Sequence, residues 1–98
     1  MAYYFLKLIP NRPTFSQDMS PDERSIMMQH IAYWTELMNK GKIIVFGPVA
    51  DPAGAYGMGV AEVENEEELI TLTSKDPASA INHYEHYLMP RAVVAGKL

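Results

Sequence analysis

The sequence predicts an α+β fold: four antiparallel strands and two helical crossovers in the order βαββαβ, with the helices on one face of the sheet. Three observations carry that expectation. One stretch repeats its apolar residues at three- and four-residue steps between a complete helix start signal and a helix stop signal. Four shorter runs are rich in aliphatic and aromatic residues and are bounded by proline, glycine or aspartate. Two of them, residues 2 to 9 and 42 to 46, are apolar on both faces, so they are covered from both sides.

Residues 2 to 9 form the first strand, with Tyr3, Phe5, Lys7 and Ile9 on one face and Ala2, Tyr4, Leu6 and Leu8 on the other. Residues 10 to 19 carry Pro10, Asn11 and Pro13 without periodicity, a loop long enough to fold over a site. Arg12 is its only cation. It is either a solvated loop charge or a contact for substrate.

The long helix begins at Ser20-Pro21-Asp22-Glu23. Serine caps it, proline takes the first helical position where its missing N–H is no loss, and the glutamate three residues on returns the hydrogen bond. Ile26, Met27, His30, Ile31, Trp34, Leu37 and Met38 make its buried stripe, while Asp22, Gln29, Tyr33, Glu36 and Lys40 fall mostly on the other side. Gly41 between two lysines ends it.

The second strand is Lys42 to Phe46, ended by Gly47-Pro48, and Asp51-Pro52-Ala53-Gly54 makes the turn. The return strand runs from Ala55 to Val63, with Ala55, Gly57, Gly59 and Ala61 on one face. Glycine inside a strand marks close approach, so this face is a pocket wall or the seat of a tightly docked helix. Asn65 and the acids Glu66, Glu67 and Glu68 open a second helix, and this acidic run is helix-start chemistry. Asp76-Pro77 restarts the chain as cap and first residue of a short helix reaching about Asn82. The fourth strand runs from His83 to about Val94, and Pro90 within it argues for a sheet edge.

This order is the ferredoxin-like arrangement. Two helices cover one side of its sheet, and the economical cover for the other is the same face of a second copy. A homodimer in which two sheets face each other, a dimeric α+β barrel, is therefore expected. The chain is one domain of 98 residues, too small to bury a large core alone.

Composition removes several function classes. Net charge is −4 and the cations are scattered, so no basic face awaits a nucleic-acid backbone. No apolar run is long enough to span a bilayer, and the first residues lack the pattern of a secretory signal. The absence of cysteine fits a reducing compartment, and a cytoplasmic protein is expected. There is no glycine-rich nucleotide loop, so no organic cofactor is implied. His83 and His86 are three residues apart on a strand, which puts them on opposite faces, and no metal is expected.

His30 is the first residue to explain, because Ile26 and Trp34, four residues to either side, hold its imidazole along the buried stripe. It is either a core histidine satisfied by a carbonyl or a general acid or base in a pocket. Asp76 is a helix cap, and nothing in its local pattern says more. No serine or cysteine lies in a nucleophile motif, so acyl transfer has no support.

The combination of a first strand, a helix with His30 followed by Trp34, the Gly41-Lys42 turn, a strand ending in Gly47-Pro48, a turn with Asp51 and Gly54, an acidic-start helix and Asp76-Pro77 resembles the YCII-related domain family over nearly the whole chain. That resemblance implies a dimeric ferredoxin-like fold and a site pairing His30 with Asp76. Arg12, Trp34, Gly47 and Pro48 are the candidate substrate contacts beside that pair. It also implies a small-molecule ligand and a lyase or isomerase, dehydrochlorinase-like in one branch. The alternative is a non-catalytic ligand-binding or accessory domain of the same fold. Many members carry a glycine shortly after the Asp-Pro step, where this chain has Ala80-Ile81-Asn82.

Overall fold

Ser20 Oγ accepts from the Glu23 N–H at 3.2 Å, and Glu23 Oε1 accepts from the Ser20 N–H at 2.9 Å, so the longest helix starts with both bonds of a capping box. It ends where Gly41 turns at φ 79° and the Lys42 N–H returns to the Leu37 carbonyl at 2.9 Å. The computed structural model describes residues 1–97. Its elements are β1 (Ala2–Ile9), a single helical turn α1 (Phe15–Asp18), α2 (Pro21–Asn39), β2 (Ile43–Val49), β3 (Tyr56–Val63), α3 (Glu66–Ser74), a 3₁₀ turn (Pro77–Ala80) and β4 (His83–Leu88).

The strands form one antiparallel sheet in the order β2-β3-β1-β4, and the helices lie on one face of it. Tyr4, Leu6 and Leu8 of β1 point to that face and are buried. With Ala61 and Val63 of β3, Ile43 of β2, Trp34 and Leu37 of α2 and Leu69 of α3, Tyr4 and Leu6 make the core. Among the described residues no helix lies over the opposite face. Phe5 and Ile9 of β1 and Val60 of β3 are only half-buried there, and Val45 and Tyr87 are exposed.

Several boundaries differ from the sequence reading, each for a physical reason. β2 runs through Gly47 and Pro48 to Val49, because it is an edge strand where proline's missing N–H breaks no ladder. β4 stops at Leu88, before Pro90, instead of reaching Val94. The loop of residues 10 to 19 contains α1, whose Phe15 is buried. The short helix after Asp76 is a 3₁₀ turn that ends at Ala80. Tyr33, expected on the solvent side of α2, donates its hydroxyl to the Leu72 carbonyl at 2.6 Å and bridges α2 to α3.

The small-residue face of β3 resolves both ways at once. Gly59 is where Trp34 seats its ring, and a Cβ there would overlap it. Gly57, two residues nearer the start of the strand, borders an open cavity. Gly59→Ala is expected to destabilise the protein by about 1–3 kcal/mol, since a rigid indole cannot yield cheaply. An unchanged urea midpoint would mean that the ring has room to move.

Candidate active site

The sheet, α2 and α1 enclose a cavity of about 410 Å³ at the end of the sheet where β1 finishes. The sheet supplies little bulk there, since Gly57 and Pro48 lie on its wall. Leu6, Leu8, Phe46, Tyr56, Met58 and Tyr84 add to the sheet wall. Met27, His30, Ile31 and Trp34 come from α2, and Phe15, Ser16 and Met19 close it from the loop side.

Asp76 follows α3 and caps the 3₁₀ turn, its Oδ1 accepting from the Ala78 N–H at 2.9 Å. Its other oxygen turns inward. Oδ2 receives His30 Nδ1 at 2.7 Å, the Trp34 indole N–H at 2.8 Å and the Tyr84 hydroxyl. His30 and Trp34 reach the same oxygen because they stand one helical turn apart on α2. The Asp76 side chain is wholly buried.

Burial alone would push the Asp76 carboxyl up, but the hydrogen bonds from His30, Tyr84 and the Ala78 N–H outweigh it and hold the group below its ordinary value. Burial, then the neighbouring Asp76 charge, pushes the Tyr84 hydroxyl well above the usual phenol range, so it keeps its proton and donates. An ionised carboxylate only accepts, which assigns a proton to His30 Nδ1. In the neutral imidazole, the form that can act as a base, Nε2 then carries the lone pair. Among the described residues it has no hydrogen-bond partner, and His30 lines the cavity with its side chain 11% exposed. Such an imidazole is anchored on one nitrogen and available on the other.

The remaining sequence candidates divide. Trp34 lines the cavity, stacks on Tyr84 with ring centroids 5.9 Å apart, and serves Asp76 through its N–H. Gly47 and Pro48 lie on the cavity wall within β2. Arg12 is not among the residues that line it. Its guanidinium grips Glu23 at 2.8 and 2.9 Å and Asp18 at 2.8 Å, tying the loop to the start of α2 and leaving it no free fork. It borders a separate hollow of about 320 Å³ with Lys7, Asp51 and Tyr56.

Tyr84 is a site residue that the sequence reading does not single out. Its pairing with Leu8 places it on the helix-facing side, a register that residue pattern alone does not reveal. His83 pairs with Ile9 and His86 with Leu6, so they lie on opposite faces, and His86 Nε2 meets Glu66 at 2.9 Å. Among the described residues no group of three or more His, Asp or Glu side chains is placed to hold a metal ion, and no helix is long and apolar enough to cross a membrane.

Comparison with known proteins bears on this geometry. The YCII-related domain profile matches residues 3–91, and the chain belongs to that family. No curated protein matches the sequence. Among solved structures, the fold is similar to a 5-chloro-2-hydroxyhydroquinone dehydrochlorinase from Burkholderia phenoliruptrix, solved with 2,5-dihydroxybenzoquinone, at 20% identity and TM-score 0.64, covering 91% of this chain and 95% of that one. A mutant of SnoaB, a cofactor-independent oxygenase from Streptomyces nogalater, aligns at 10% identity and TM-score 0.49 over 98% of this chain and 97% of that one.

Proposed function

We propose that this member of the YCII-related domain family is a small-molecule lyase or isomerase in which His30 moves a proton and Asp76 holds it in place. The observation that carries the reading is the asymmetry of His30: Nδ1 is bound to a buried carboxylate, while Nε2 lies on a mostly apolar cavity large enough for a ring. In an elimination, Nε2 takes a proton from the ligand, the freed electron pair forms a double bond, and the leaving group departs with its own pair. In an isomerisation the same proton returns at another carbon. Asp76 offsets the positive charge on the imidazolium throughout.

Two carboxylate roles coexist without conflict, because Oδ1 caps the 3₁₀ turn and Oδ2 meets the imidazole. Chlorohydroquinone tests the reading directly. Incubation in D₂O is expected to give His30-dependent chloride release or ring-proton exchange. Binding without either would make the cavity that of a ligand-binding domain.

The proposed working form is a cytoplasmic homodimer. Support comes from the helix-free sheet face, where Phe5, Ile9, Val60, Val45 and Tyr87 remain half-buried or exposed. Dilution is expected to lower the melting temperature, since dissociation would uncover that face. Melting that ignores concentration, together with a monomer mass in solution, would count against the dimer.

A further inference from the structure

Asn82 is one of four buried polar or charged residues among the described residues, and its Oδ1 has no hydrogen-bond partner among them. An amide oxygen stripped of water and left unpaired is unfavourable, so its retention asks for a reason. The other end of the carboxamide is weakly held, since among the described residues Nδ2 bonds only to the Met27 thioether, at 3.5 Å. Rotation about the side-chain torsions therefore breaks no strong bond and re-aims either end of the amide.

The backbone beneath it is fixed. The Asn82 N–H donates to the Ala78 carbonyl at 2.9 Å, at the end of the same 3₁₀ turn that Asp76 caps. One short segment thus delivers both the carboxylate behind His30 and the carboxamide. Met27 and His30 are three residues apart on α2 and line the cavity together with Asn82, which sets the amide beside the imidazole's own helical turn. Among the described residues no Lys, Arg, Asp or Glu lines this cavity, so discrimination among ligands there falls to hydrogen bonding by a few groups. Tyr84 is already committed to Asp76.

We infer that Asn82 is a specificity-determining anchor of the His30 cavity, accepting a hydrogen bond from a hydroxyl or N–H donor on an otherwise apolar, uncharged ring ligand. The inference rests on the reading of this cavity as the ligand site. A site with a waiting acceptor rejects an analogue that lacks the donor, because the acceptor then stays unpaired.

The probes are 2-naphthol and 2-methoxynaphthalene, which share a ring system and differ in the donor. A cavity of about 410 Å³ has room for two fused rings, when about 150 Å³ suffices for benzene. Trp34 is the only tryptophan, so its indole N–H signal in NMR reports binding at this wall without ambiguity. The wild type is expected to prefer the naphthol. Asn82→Leu is expected to shrink that preference about three- to tenfold while binding the ether at least as well. Asn82→Ala, which removes the carboxamide without adding volume, is measured alongside and is expected to show the same loss.

An undiminished preference in both variants overturns the assignment. A preference that disappears only in His30→Ala places the donor contact on the imidazole, which overturns the anchor and leaves the acid–base reading intact. Failure of the wild type to bind either probe overturns the anchor and the ligand cavity together.

Discussion

Replacing Asp76 by alanine is expected to destabilise the folded chain by about 3–5 kcal/mol, the range for breaking a buried charged cluster by removing one partner. The carboxylate accepts from His30, Trp34, Tyr84 and the Ala78 N–H, and alanine would leave all four without it. The four come from three elements separated in sequence, so the loss loosens α2, the 3₁₀ turn and β4 at once. Tyr84→Phe removes one bond of the four and is expected to cost about 1–3 kcal/mol. Asp76→Asn should fall between these, since its NH₂ would confront groups that also donate.

The same cluster sets an acid limit. Because the folded Asp76 carboxyl is held below its ordinary value, its stabilisation is fully present above the unfolded value of 3.8 and is lost as pH falls through the lowered one. Urea midpoints measured from neutrality downward should therefore fall less steeply in Asp76→Ala than in the wild type below about pH 4. An alanine variant as stable as the wild type at neutral pH would show that the three side-chain donors find other partners.

How much of this was legible in the sequence depends on the range of the interaction. The capping box of α2, its glycine stop and the alternation of β1 are local, and short-range rules placed them. The edge position of β2 is not local, and without it Gly47-Pro48 reads as a strand end rather than a strand interior. Phe15 looked like loop because one helical turn has no periodicity to detect. In the site, residue spacing singled out His30 on the buried side of α2, but Asp76 stood out only as a cap. Family resemblance suggested their pairing, and 46 residues separate the two side chains that lie 2.7 Å apart. Tyr84 depends on strand register, and Asn82 on the geometry of a turn that ends just before it. Arg12 is the reverse case. A lone loop cation invites a ligand, while its acids at 18 and 23 were already within reach to neutralise it.

His30→Ala is expected to lower kcat by about 10²–10⁴-fold, the usual contribution of a positioned general acid or base, with KM little changed. The fold should survive this change better than loss of Asp76. Trp34 and Tyr84 still donate to Oδ2 and the Ala78 N–H to Oδ1, so the carboxylate keeps three of its four partners. The space vacated by the ring lies between that carboxylate and the cavity, and it has the size and the acceptor to admit free imidazole. Added imidazole should therefore restore part of the rate in His30→Ala and none in Asp76→Ala, where nothing remains to orient it. A purely structural histidine would show no such rescue. Turnover by His30→Ala at the wild-type rate, on whatever compound the wild type converts, would remove the imidazole from the chemistry.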